Sequence, residues 1–184
     1  MKKYIIIIIV FLAFSLNTYA QSFGLKGGVA VTNFIGSDAN DLDAESRTGF
    51  FLGAFTKLGE GNIEWMPEVL FHQKGAKEDG GNGSLVGNYI DIGANGLFHI
   101  NDELALAIGP YLGYAVSGTL DGESITDWDG TNRVEFGSNL GAIYNINDLL
   151  HLDVRYGMAF TDMLDDVSIR NSSFQIGVGY VFGY

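Results

Sequence analysis

Large apolar side chains alternate with small or polar ones along most of this chain. A period of two residues is typical of β-strands with two unlike faces. The pattern is clear near the C-terminus, where Leu152 and Val154 alternate with Asp153 and Arg155. Beyond residue 21 we find no sustained 3.6-residue period that would indicate an amphipathic helix. The alternation predicts eight strands, at residues 22–33, 48–58, 62–73, 87–100, 103–116, 133–146, 149–161 and 172–184.

The segments that connect these strands alternate between short and long. Tight turns are predicted at residues 59–61, 101–102 and 147–148, and longer connections near 34–47, 74–86, 117–132 and 162–171. Because successive connections then lie at opposite ends of the strands, the order predicts an antiparallel up-and-down meander.

The two faces of the strands differ in bulk, which indicates the surroundings of each face. One face holds the large apolar side chains and the other is crowded with Gly and Ala. An eight-stranded barrel has an interior just wide enough to be filled by side chains, so the small face suits the lumen and the large face suits lipid. A sheet in a bilayer must also close, since an open edge would leave backbone groups unpaired.

The predicted fold is therefore all-β, an eight-stranded antiparallel up-and-down transmembrane β-barrel with short periplasmic turns and longer extracellular loops. We expect a monomer in the outer membrane of a Gram-negative envelope, surrounded by outer-membrane lipid and lipopolysaccharide. Aromatic residues near both strand ends, such as Trp65 and Tyr144 at the short turns and Tyr114 and Phe160 at the long loops, are typical of the two headgroup levels.

The first 20 residues have the pattern of a secretory signal peptide. Lys2 and Lys3 precede an unbroken apolar run over residues 5–14, and Ala20 ends a segment suited to cleavage. The run is far shorter than the roughly 20 residues of a membrane-spanning helix. We expect residues 1–20 to be removed and residues 21–184 to form the barrel domain.

Composition narrows the classes of function. The chain has 184 residues and a formal net charge of −12, which argues against a nucleic-acid partner because phosphates are bound by Lys and Arg. With no Cys, it has neither a disulfide nor a thiolate nucleophile or metal ligand. The acidic surface suits only a cationic partner or a metal ion.

Four short motifs, in order, resemble the PorT-like outer-membrane β-barrel family of Bacteroidetes-type bacteria. They are Phe-Gly-Leu-Lys-Gly-Gly-Val at residues 23–29, Met-Pro-Glu-Val-Leu-Phe at 66–71 followed by Gln-Lys-Gly-Ala-Lys at 73–77, Gly-Pro-Tyr-Leu-Gly-Tyr at 109–114, and Phe-Gln-Ile-Gly-Val-Gly-Tyr at 174–180. The resemblance implies an eight-stranded barrel with both termini in the periplasm. The member that gives the family its name is associated with protein secretion. Tyr184 resembles the aromatic ending that the barrel-assembly machinery recognises.

Charged residues on the small face predict a network inside the lumen. Its members are Lys26, Glu64, Glu68, Asp91, Glu135, Asp153 and Arg155. Buried ions must be paired, so we expect the two cations to be shared among the carboxylates, with Glu135 and Asp153 as partners of Arg155, and Glu68 or Asp91 as the partner of Lys26. The network would plug the barrel; the alternative is a gate or proton path.

The predicted long loops are acidic, with Asp38, Asp41, Asp43 and Glu45 in the first, Asp121, Glu123, Asp127 and Asp129 in the third, and Asp162, Asp165 and Asp166 in the fourth. No loop completes an EF-hand, so we expect a solvated surface, with weak divalent-cation bridging to lipopolysaccharide as the alternative. We expect no cofactor and no resident metal.

Catalysis would require a histidine next to a nucleophile. Of three histidines, only His72 is predicted near the outer rim, where Ser84 or Ser117 would have to be its partner. We therefore predict a structural or interaction module with acidic extracellular loops, a plugged polar lumen and no catalysis. The alternatives are a narrow porin-like channel, and a lipid A-modifying outer-membrane enzyme or secretion-associated barrel. A partner, either extracellular or part of a secretion system, would bind to the loops.

Overall fold

A computed structural model of the chain describes residues 22–39, 44–59, 61–78, 83–128, 130–164 and 167–182. The predicted signal peptide at residues 1–20 and the terminal Tyr184 lie outside these ranges. The strands are β1 Ser22–Ile35, β2 Ala44–Lys57, β3 Ile63–Glu78, β4 Ser84–His99, β5 Leu104–Leu120, the two-residue β6 Glu123–Ser124, β7 Val134–Asn145, β8 Leu150–Ala159 and β9 Arg170–Val181.

The eight long strands form one closed antiparallel sheet. Each pairs with its neighbours in the chain, β5 pairs with β7, and β6 adds a short pairing to the end of β5. The first and last strands close the barrel, with registers running from Gly24 opposite Val181 to Ile35 opposite Arg170. The predicted eight-stranded up-and-down barrel is confirmed. Among the residues that the structure describes, no helix has the length and apolar character needed to cross a membrane.

Several strands extend further at the long-loop end than their apolar alternation predicts. β2 begins at Ala44, β3 continues to Glu78, β4 begins at Ser84 and β5 continues to Leu120. The connection between β3 and β4 shrinks to residues 79–83, instead of the long loop predicted at 74–86. The physical reason is that backbone pairing continues above the bilayer, where side chains no longer need to alternate between lipid and lumen.

The outer wall of the barrel is apolar, as the alternation predicts. Along β8, Leu152, Val154 and Tyr156 are each more than a third exposed, whereas Asp153 and Arg155 between them are buried. Most soluble proteins expose no contiguous apolar surface of this extent, and a belt around the whole sheet is the surface that lipid covers.

Glycines on the inner wall make room for large lumen side chains. A Cβ at Gly179 would lie 2.2 Å from the ring of His151, and one at Gly137 would lie 2.6 Å from the ring of Tyr111. The Gly-rich face therefore reflects a filled lumen: bulky side chains on some strands lie directly against bare backbone on others.

Strand β3 contributes to each layer of the lumen. Starting at the short-turn end, Met66 joins an apolar cluster with Phe55, Leu97 and Ile143, and Leu70 joins a second apolar cluster further along. Glu68, between these two, and His72 and Lys74, beyond Leu70, are charged or polar. Apolar and ionic layers therefore alternate along the barrel axis.

Candidate functional site

The first ionic layer, the lower cluster, joins three strands. Lys26 from β1 contacts Glu68 from β3 at 2.5 Å and Asp153 from β8 at 2.9 Å. Arg155, also from β8, donates through Nε and Nη2 to the two oxygens of Asp153, at 2.7 and 2.5 Å, and through Nη1 to Glu68 at 2.7 Å. All four residues are at most 4% exposed.

The lower cluster is neutral, with two cations and two carboxylates, and each ion contacts both members of opposite charge. Buried charges are costly unless they are paired and hydrogen-bonded, and here every one is. The guanidinium fork of Arg155 binds Asp153 through two parallel hydrogen bonds and still reaches Glu68, a geometry that a lysine cannot reproduce.

The second ionic layer, the upper cluster, lies nearer the extracellular end. Lys74 from β3 contacts Asp91 from β4 at 2.9 Å and Glu135 from β7 at 2.6 Å. His72, two residues before Lys74, has its Nδ1 at 3.0 Å from the Oδ2 of Asp91. The hydroxyl of Tyr111 donates a hydrogen bond to the same oxygen, Oε1 of Glu135, at 2.6 Å.

Aromatic rings and an amide complete the upper cluster. The ammonium group of Lys74 lies 4.8 Å from the ring centre of Tyr89 and 4.6 Å from that of Tyr111, both within cation–π range. Asn171 from β9 donates its Nδ2 to Glu135 at 2.6 Å and to the hydroxyl of Tyr89 at 3.3 Å. The cluster thus ties β3, β4, β5, β7 and β9 together.

Six of the seven charged residues expected in the lumen lie in these two clusters. The seventh, Glu64, lies at the periplasmic end and contacts Nε2 of His99 at 3.1 Å, with both side chains about one-fifth exposed. Arg155 does not contact Glu135, contrary to the prediction from the sequence. Its second carboxylate partner, after Asp153, is Glu68, and Glu135 contacts Lys74 instead.

Lys74 is the lumen cation that the sequence analysis missed. The predicted strand ends at Gln73, so the next residue was assigned to a loop. Lys74 nevertheless continues the inward series of β3 that runs through Glu68, Leu70 and His72. Extending the alternation by two positions would have identified it.

His72 faces the lumen and is 1% exposed. Its Nδ1 is engaged with Asp91, and its ring packs edge-on against Phe51. Ser117, one of the two serines considered as its partner, accepts a hydrogen bond from Asn88 at 2.9 Å. Within the part of the chain that the structure describes, no group of three or more His, Asp or Glu side chains could hold a metal ion.

The loop acids that the structure describes mostly organise the loops. Asp38 accepts a hydrogen bond from the backbone N–H of Ser168 at 2.7 Å, and Asp121 accepts one from Ser84 at 2.8 Å. Asp162 pairs with Arg170 at 2.7 Å. Glu45 lies in β2 and Glu123 in β6, both exposed, and Asp127 lies in the loop that follows β6. The remaining predicted acids, Asp41, Asp43, Asp129, Asp165 and Asp166, lie outside the described residues.

A cavity lies at each end of the lumen. The periplasmic cavity, of about 600 Å³, includes Lys57, Glu64, His99 and His151 in its lining. The extracellular cavity, of about 430 Å³, is lined mainly by apolar side chains of the loops and strand ends. Lys74, Tyr89 and Asn171 of the upper cluster form its floor.

Comparison with known proteins agrees with this architecture. The family model described as the outer membrane protein beta-barrel domain matches residues 6–182. The solved structure of neisserial surface protein A (NspA) is similar, with a TM-score of 0.58 and 15% identity over 89% of this chain and 99% of that chain. Ail, the attachment invasion locus protein of Yersinia pestis, in complex with the heparin analogue sucrose octasulfate, gives a TM-score of 0.54 and 18% identity over 88% of this chain and 99% of that chain. At these identities the likeness establishes the fold. Among curated proteins, none matches the sequence significantly.

Proposed function

Because this chain belongs to the family of the outer membrane protein beta-barrel domain and is located in the Gram-negative outer membrane, we propose that it is a non-catalytic interaction module. In this proposal the barrel is a rigid anchor, and the extracellular loops carry the binding surface. The observation that carries the proposal is the lumen: its buried charges are engaged with one another inside an interior filled by side chains.

The two ionic clusters argue against a channel. They lie between the periplasmic and the extracellular cavity, alternate with apolar layers, and contain side chains from both sides of the barrel. An ion crossing the lumen would have to break contacts such as those of Arg155 and Lys26 with Glu68, which are 2.7 and 2.5 Å long. Separating one such buried charge from its partner costs several kcal/mol.

The surroundings of the histidines argue against acyl transfer. A serine hydrolase needs the imidazole within hydrogen-bond reach of a hydroxyl, and His72 is instead engaged with Asp91. His151 packs edge-on against Phe55 at the periplasmic end, with 5.2 Å between ring centres. Lipid A lies at the opposite membrane surface, so the placement of His151 does not suit its modification.

The charge of the loops suggests the chemistry of the partner. The chain has 22 acids against 10 lysines and arginines, and Glu45 and Glu123 are exposed at the extracellular end. A basic protein or peptide surface is the partner class that such a field attracts. The resemblance of the four motifs to those of PorT-like barrels supports a secretion-associated protein as that partner.

Two experiments test the proposal. In planar bilayers the purified barrel is expected to give no steady conductance steps. Heat-modifiable gel migration of the same sample would establish that the inserted protein is folded. Steady steps from the unmodified protein would replace the interaction module with a channel.

The partner is then sought by photo-crosslinking in intact cells. A crosslinker at Glu123, in the extracellular β6, is expected to capture a basic protein, and added salt should reduce the yield. The matched control is Asp102, in a periplasmic turn, which should give different adducts. If adducts form only at Asp102, the loops are not the binding surface.

A further inference from the structure

The extracellular cavity has the construction of a small-molecule site. Its volume, about 430 Å³, lies within the range of about 300–1,000 Å³ typical of ligand pockets. Such pockets combine an apolar wall with a few polar groups that orient the ligand. The apolar side chains that line this cavity include Phe34, Val86, Ile125, Trp128, Leu164 and Ile169.

The upper cluster closes the inner end of the cavity, so a ligand would enter from outside and would be held rather than passed on. The floor contains the ammonium group of Lys74, which is already paired with the carboxylates of Asp91 and Glu135 outside the lining. An anionic head group at the floor would find this ammonium group already engaged and would lie close to two negative charges, whereas the other lysine of the lining, Lys77, is exposed. The floor therefore disfavours fatty acids and other anions.

One polar atom of the floor has no hydrogen-bond partner among the described residues. Asn171, which is 2% exposed, uses its Nδ2 to bind Glu135 and Tyr89, while its Oδ1 accepts no hydrogen bond. A buried acceptor without a donor is costly, and a ligand hydroxyl would supply that donor.

We propose that this cavity binds a neutral amphipathic molecule, a long-chain or aromatic alcohol. Its apolar body packs against the wall beside Ile125 and Trp128, and its hydroxyl donates to Oδ1 of Asn171. This binding is independent of the protein partner proposed above, because it needs only the cavity and its floor.

The two tryptophans of the chain make the proposal directly measurable. Trp128 lines the cavity, whereas Trp65 is 57% exposed on the outer wall at the periplasmic end. A Trp65→Phe variant therefore reports on the cavity alone, and a Trp128→Phe variant reports on probe dissolved in the lipid. Bromine quenches tryptophan only at short range, so ω-bromoundecanol is a suitable probe for barrels in lipid nanodiscs.

We expect ω-bromoundecanol to quench Trp128 saturably and Trp65 only in proportion to its concentration in the membrane. Unbrominated decanol should compete for the cavity and reverse the quenching of Trp128. This control needs no substitution in the cavity wall. The acid of the same length, ω-bromoundecanoate, should bind about tenfold more weakly, which corresponds to about 1.4 kcal/mol. Asn171→Leu removes the acceptor for the hydroxyl and should weaken binding of the alcohol, so the preference should decrease while the part that is due to the floor charges remains.

A charge placed in the wall provides the matched test. Ile125→Asp puts a carboxylate into the cavity and should abolish saturable quenching. Thr126→Asp puts the same charge on the adjacent exposed residue, outside the lining, and should leave it unchanged. Equal, non-saturating quenching of Trp128 and Trp65 would overturn the site. Binding of the acid as tightly as the alcohol would overturn the ligand class.

Discussion

Replacing Arg155 by Ala should be one of the most destabilising single changes in the barrel. Arg155 is 2% exposed and makes three hydrogen bonds, two to Asp153 and one to Glu68. Without it, the lower cluster keeps two carboxylates and only Lys26, so a neutral buried group gains one uncompensated negative charge. Breaking a buried pair by removing one partner costs about 3–5 kcal/mol, and we expect a loss of free energy of unfolding in that range.

The matched control is Arg170→Ala. Arg170 also binds a carboxylate, that of Asp162 at 2.7 Å, but both side chains are 37% exposed in solvent. Exposed pairs contribute about 0–1 kcal/mol, so this variant should lose no more than that. Urea unfolding in lipid vesicles, followed by intrinsic fluorescence and by gel migration, measures both variants against the unmodified protein.

The double variant Arg155→Ala, Asp153→Ala tests separately whether an uncompensated charge causes the destabilisation. Removing one cation and one carboxylate leaves Lys26 paired with Glu68 and restores neutrality. The double variant should therefore be more stable than the sum of the two single losses predicts, by a coupling energy on the order of 0.5–3 kcal/mol. Equal urea midpoints for the Arg155 and Arg170 variants would refute the reasoning, because Arg155 would then face lipid or water.

Three further changes test other parts of the structure. Lys74→Met leaves two carboxylates of the upper cluster without their ammonium group, so the same urea assay should show a loss of about 3–5 kcal/mol, and an unchanged midpoint would contradict the pairing. Ile176→Lys places a charge on the lipid-facing wall and should cost about 2–4 kcal/mol if its position lies at the bilayer midplane, whereas tolerance of it would contradict the face assignment. Gly179→Ala would put a methyl group 2.2 Å from the ring of His151, so this variant should refold into vesicles more slowly and unfold at lower urea than Gly96→Ala, whose methyl group would have its nearest neighbour at 3.4 Å.

The strands and their two faces could be predicted from the sequence because both depend on a local, repeating property. Lipid on one side and a narrow lumen on the other impose an alternation that extends over each strand, as around Asp153 and Arg155. The extracellular strand ends could not be predicted in the same way. Above the bilayer the outward positions no longer need large apolar side chains, as at Gln73, while the backbone hydrogen bonds of β3 and β4 continue, so Lys74 was assigned to a loop.

The pairing of lumen charges depends on geometry that the sequence does not contain. Glu135 lies on the strand next to Arg155, yet the guanidinium group reaches across the lumen to Glu68, 87 residues earlier in the chain. Which inward residues lie at the same level depends on how far each strand is staggered against the next. The set of inward charges could thus be predicted, but their partners could not.

The lower cluster also has a consequence for how the barrel folds. Lys26 and Asp153 are 127 residues apart, on strands β1 and β8, and β9 lies between them in the closed sheet. Their contact can form only after β1 and β9 have joined, so it contributes nothing to any partly assembled sheet. Closure of the sheet and pairing of the buried charges therefore occur together, late in assembly. Contacts between such distant parts of a chain are slow to form. We expect assembly to be all-or-none, with a probe at the first strand and a probe at the last strand reporting the same refolding rate.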